Sequence, residues 1–256
     1  MAITNVYGLS RDIPEPIKRE IRQRSGFGCV VCGCSIVDYE HVSPDFPRAR
    51  AHDPSKMALL CPMCHAKVTR NLLSKSRVRT AMENPRCKQQ GFSFAELDPA
   101  NTHPYVVFGG MTLKNCDIPV QVRGFPLFQI EPPEADGGPY RLSASFFDQQ
   151  GVPSLLIRRN EWRASSAQWD VEVVGGRITI RSAPRAISLR IAFVPAEGVV
   201  IERVDMHVAG YHFLGNKDEL NVSMPGGGKG VFTHCMADNC HVGLSLGGIV
   251  GVRLTY

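Results

Sequence analysis

Two Cys-x-x-Cys pairs, Cys29-Val-Val-Cys32 and Cys61-Pro-Met-Cys64, constrain the first part of this chain more than any other feature. At that spacing a tight turn points two thiolates at one ion, and two such pairs complete a closed tetrahedral zinc site. The chain holds nine cysteines. An odd count, and a start (MAITNVYGLSRDIPEP) with neither basic nor apolar signal regions, argue against a disulfide framework. Cys34, Cys87, Cys116, Cys235 and Cys240 lie outside the pairs and read as small buried hydrophobes. No apolar run approaches the roughly eighteen residues of a membrane span, so the expectation is a cytoplasmic protein with no membrane contact.

The chain has 256 residues, enough for two domains with separate cores. Charge divides it in the same way. Residues 1–100 hold 15 Lys and Arg against 10 Asp and Glu, whereas residues 101–256 hold 14 of each. Lys67, Arg70, Lys75, Arg77, Arg79, Arg86 and Lys88 form a basic run opposed only by Glu83. Such a run suits either a solvated helix face or a polyanion such as nucleic acid.

Residues 12–24, DIPEPIKREIRQR, read as an amphipathic helix capped by Asp12, with Ile13, Ile17 and Ile21 on one face. Residues 35–42 and Met57-Ala-Leu-Leu60 have strand character, and the basic segment after Cys64 reads as two helical pieces, the second capped by Ser74. Near residue 100 the character changes. Short β-rich runs follow, at 105–108, 140–146, 154–157, 169–174, 177–181 and 187–193, with Gly175-Gly176 as a hairpin signal. The fold class expected is therefore α+β: a small metal-stapled domain over 1–100, then an all-β domain over 101–256. The second is read as a sandwich, or as stacked strands with a β-helix-like tail from Val204. Trp162 and Trp169 read as core anchors. His234, Cys235, Cys240 and His241 have ligand-like spacing, although a turn-rich tail with buried thiols is the commoner outcome. Met224-Pro-Gly-Gly-Gly-Lys-Gly230 lacks the features of a phosphate-binding loop.

Between and after the cysteine pairs lie Asp38-Tyr39-Glu40-His41, the loop through His52-Asp53, and Cys61-Pro-Met-Cys64-His65. Over residues 12–85 this ordered set resembles the HNH endonuclease family, whose ββα-metal core is often stapled by two CxxC pairs, the second reading CxxCH. The resemblance implies a zinc-stapled ββα-metal domain with Glu40 and His65 as ligands of a catalytic metal, Mg2+, Mn2+ or another divalent ion. It implies that His41 is the general base. Lys56 stands where the family has an asparagine that orients this base, which is a departure. His52 is left as an auxiliary ligand, a phosphate contact or a solvated loop histidine.

The chemistry accounts for such residues. A phosphodiester anion resists nucleophiles until a cation offsets the developing charge and a base takes a proton from water. Imidazole titrates near working pH, which suits the base. The function expected is metal-dependent cleavage of double-stranded DNA, the β domain serving recognition, regulation, self-association or a protein partner. Two alternatives stand beside it: a zinc-stabilised nucleic-acid-binding module with little or no catalysis, and a nuclease effector in a defence or toxin system.

Overall fold

A helix needs no backbone N–H donor in its first turn, and the chain opens one where its prolines cluster. In the computed structural model, which describes residues 4–98 and 100–248, α1 covers Glu15–Ser25. Its N-cap is Pro14, with no side-chain cap bond, so Asp12 does not serve as the cap. Ile21 packs with Met57 and Leu59, flanked by Ile13 and Ile17. Gly26 ends the helix at φ +70°, and a Cβ there would stand 2.9 Å from Cys87 Cβ. The left-handed turn and this close approach both require glycine.

Strand β1 (Asp38–His41) pairs antiparallel with β2 (Met57–Leu60), placing Glu40 opposite Ala58 and His41 opposite Met57. All four β2 residues are buried, which explains an unbroken apolar run in place of alternation. Helix α2 (Pro62–Thr69) starts at once, followed by α3 (Lys75–Glu83), α4 (Arg86–Gln90) and β3 (Phe92–Glu96). Ser74 caps α3 by accepting from the Arg77 amide, as expected.

The chain divides into two units. Met1–Ala95 and Ala164–Glu172 form the first; Glu96–Arg163 and Val173–Tyr256 form the second. The segment 164–172 joins the first unit through charge. Arg22, 4% exposed, donates to both carboxylate oxygens of Asp170, itself fully buried, at 2.8 and 2.9 Å. It also reaches Glu15 and the Tyr39 hydroxyl. Gln23 donates to the Trp169 carbonyl, and Arg19 lies over the Trp169 ring.

The second unit is built on strands. They are β4 (Tyr105–Phe108), β5 (Met111–Val122), β6 (Phe125–Glu131), β7 (Arg141–Phe147), β8 (Pro153–Arg158) and β9 (Glu161–Ser165). After β10 (Asp170–Val174) come β11 (Arg177–Ala183), β12 (Ala186–Val194) and β13 (Gly198–Val208). The last four are β14 (Tyr211–Asn216), β15 (Glu219–Ser223), β16 (Lys229–Thr233) and β17 (Cys235–Leu246). Strands β4 to β8 pair antiparallel in sequence, as do β11 to β16 where the chain runs on without interruption. Two parallel pairings join distant parts: β4 with β13, and β5 with β17. Phe108, Phe128, Phe146 and Phe213 fill the core, with neighbouring ring centroids 5.4 to 6.0 Å apart. Trp162 is buried as expected of a core anchor. Gly175 and Gly176 both take positive φ, as a two-residue type I′ hairpin demands. The glycine-rich segment 224–228 links β15 to β16.

This architecture corrects the expected fold class. The chain is not an α+β protein with a ββα-metal domain ahead of a sandwich; 48% is strand, 16% helical, and the large sheet has 15 strands. The physical reason is length. The helices span 11, 8, 9 and 5 residues, whereas β5 and β17 alone span 12 each. Motif density in the first third gave its short helices undue weight. The β4–β13 pairing joins the two antiparallel strand groups of the second unit into one hydrogen-bonded network. The tail from Val204 is an antiparallel meander through β16, not the parallel stacking of a β-helix. Among the described residues no helix is long and apolar enough to cross a membrane.

Candidate active site

The four paired cysteines meet. Their sulfurs all lie within 4.8 Å of one another, and Cys32 Sγ stands 3.6 Å from Cys61 Sγ. Sulfurs at ~2.3 Å on a tetrahedral zinc stand roughly 3.8 Å apart, so the donor set fits. Local structure imposes this gathering. Cys61 is the N-cap of α2 and its Sγ accepts from the Cys64 amide at 3.4 Å. Gly33 takes φ +90° and its amide donates to the Cys29 carbonyl, closing the turn around the first pair. A hydrogen bond between Cys29 and Cys32 draws the first thiol down and pushes the second up, while burial pushes Cys64 up to about 12. Cys29, Cys61 and Cys64 also sit in a core with Val30, Val42, Ala58, Leu60 and Val78.

Directly after Cys64, His65 on α2 reaches back to Glu40 on β1. Its Nε2 lies 3.0 Å from Glu40 Oε2. Lys75, at the start of α3, stands 3.7 Å from Glu40 Oε1 and also pairs with Asp45. Two ligands at ~2.1 Å on adjacent octahedral positions are roughly 3.0 Å apart, so Glu40 and His65 fit one divalent ion. His65 remains 43% exposed, which leaves room for other ligands.

His41 is the next residue along β1, and it is buried. Its ring packs on Phe46 at 5.4 Å, and its Nε2 lies 3.2 Å from His52 Nδ1. Burial lowers its pKa below the usual histidine value, helped by His52 and the cations Arg11 and Lys75. The shift favours the neutral imidazole over the charged one. Arg48, Arg50, Asp53 and Lys56 line the cavity of about 300 Å3 on which His41 opens.

Lys56 does not touch His41; it pairs with Asp53 at 3.1 Å and is mostly exposed. The side chain that meets the His41 ring across this loop is His52. Sequence reasoning left His52 open and overlooked Arg48 and Arg50, although the pattern Arg48-Ala-Arg50 in a loop between the motif residues was a usable signal. In the second unit the spaced ligands of the tail do not assemble among the described residues. His241 pairs with Asp117, and Cys240 faces Cys116. No protein-family model, curated protein or solved structure matches this chain.

Proposed function

We propose that this protein is a metal-dependent endonuclease that hydrolyses phosphodiester bonds of double-stranded DNA, with His41 as general base and Glu40 and His65 as ligands of a divalent metal such as Mg2+ or Mn2+. One observation carries the reading: the 3.0 Å approach of Glu40 to His65, with the buried His41 adjacent and an arginine-lined cavity beside it. A zinc held by Cys29, Cys32, Cys61 and Cys64 would have a different task. Four thiolates would leave no open position, so the ion would hold β2 and α2 in place and do no chemistry.

In this reading His41 takes the tautomer that donates from Nε2 to His52 Nδ1, 3.2 Å away, which leaves its own Nδ1 to accept a proton from water. Arg48 and Arg50 bind and orient the phosphate chain. Glu40 and His65 keep their ligand atoms on one side, and Lys75 holds the Glu40 carboxylate. When bound, the divalent ion offsets charge developing on the phosphate and the leaving oxygen. The basic run supplies sequence-independent affinity.

A second reading has a specific observation behind it. With Lys56 turned to Asp53, the chain is a nucleic-acid-binding module in which catalysis has lapsed. Incubating supercoiled plasmid with purified protein and either Mg2+ or Mn2+ separates the two. Nicked and linear products that disappear with chelator support the nuclease. DNA retardation without any cleavage supports the binding module.

A further inference from the structure

We propose that Cys116 and Cys240 are a peroxide-oxidisable dithiol, which closes to a disulfide and ties β17 to β5. The two sulfurs lie 2.8 Å apart although 124 positions separate them. They are direct register partners in the parallel β5–β17 pair, so both point to one face. Neighbouring strands run ~4.8 Å apart, within the Cα separation a disulfide spans.

The surroundings hold this juxtaposition in place. Each cysteine follows an asparagine, and Asn115 and Asn239 both take left-handed backbone, at φ +48° and +53°. Two paired strands thus depart from extended geometry at the same position, which keeps them in step across the irregularity. On one side of the thiols Asn115 donates to Asp238 at 2.8 Å; on the other His241 meets Asp117 at 2.9 Å. A slip of one residue would break both contacts.

The pair is also asymmetric in the way a two-step oxidation needs. Cys240 is partly exposed, whereas Cys116 is buried and its thiol is pushed up to about 12 by that burial and by the hydrogen bond with Cys240. Cys240, as thiolate, attacks a peroxide oxygen; the S–O bond forms, the O–O bond breaks, and the departing hydroxide leaves as water after taking a proton. Cys116 then attacks the sulfenic sulfur. The S–S bond forms, the S–O bond breaks, and the second hydroxide takes the Cys116 proton to leave as water. Two thiols lose two electrons and two protons, and one hydroperoxide is reduced to two waters.

The experiment treats zinc-loaded, full-length protein with hydrogen peroxide, alkylates remaining thiols in denaturant, and maps peptides by mass spectrometry without reduction. The expected result is a Cys116 peptide joined to a Cys240 peptide, lighter by two hydrogens and separated again by dithiothreitol. In Cys116→Ser, a sulfenic acid on Cys240 should be trapped by dimedone, which also reads the order of steps in a variant whose fold is checked by circular dichroism. Wild-type protein in which both cysteines stay alkylatable, or in which Cys240 ends as a sulfinate or joined to Cys235, would overturn the proposal.

Discussion

His41 Nε2 lies 3.2 Å from His52 Nδ1, although the two residues are eleven positions apart and belong to a strand and a loop. The contact fixes the ring of the proposed base from the loop side. His52→Ala is therefore expected to lower cleavage by ~10- to 100-fold, the usual effect of removing a partner that orients a working group, with DNA affinity little changed. Lys56→Asn should leave the rate near wild type, because Lys56 already points at Asp53. Single-turnover cleavage of a labelled duplex reads both variants. A large gain in Lys56→Asn would show that position 56, not His52, limits the base.

Metal analysis of the purified protein should find one zinc per chain. Cys61→Ser removes a ligand while keeping a side chain able to cap α2, so it should lose the ion and most of the first unit's cooperative melting. Zinc held by such clusters contributes on the order of 10 kcal/mol to folding. A Cys61→Ser protein that keeps zinc and melts as wild type contradicts this assignment.

Asp170 is fully buried against Arg22, which is itself only 4% exposed. Asp170→Asn should destabilise the first unit by roughly 3–5 kcal/mol, the consequence of leaving the buried Arg22 with only the more exposed Glu15 and Glu172 as counterions. Urea titration of tryptophan fluorescence measures this directly, since Trp169 lies beside the pair. A loss below ~1 kcal/mol would mean that water or Glu15 and Glu172 compensate.

The legible parts of this chain were those where one local rule acts alone. The CxxC spacing foretold the sulfur cluster, Ser74 foretold the start of α3, and Gly175-Gly176 foretold a hairpin. Strand β5 was not legible: Asn115 and Pro119 interrupt its alternation, and its pairing with β17 depends on residues more than a hundred positions away. The same non-local pairing hid the Cys116–Cys240 approach, for which the repeated Asn-Cys dipeptide was the one local trace. Glu40, His41 and His65 stand out as motif residues, yet the contact of His52 with His41 depends on the loop's path. The run 169–174 reads as a strand of the second half, whereas the contacts of Asp170 with Arg22 and of Trp169 with Arg19 and Gln23 draw its first residues into the first unit.

The most direct test of the central claim compares His41→Ala and His65→Ala with wild type in metal titrations of DNA cleavage, with affinity measured alongside. Both variants should bind duplex DNA nearly as wild type does, because affinity comes mainly from lysine and arginine contacts to phosphate. His65→Ala should regain part of its activity at high Mg2+ or Mn2+, since it lacks only a ligand. His41→Ala should stay down by ~10²- to 10⁴-fold at every metal concentration, because no cation replaces the proton acceptor. Cleavage by His41→Ala at the wild-type rate, or wild-type protein that binds DNA yet never cuts it with either metal, would contradict the account.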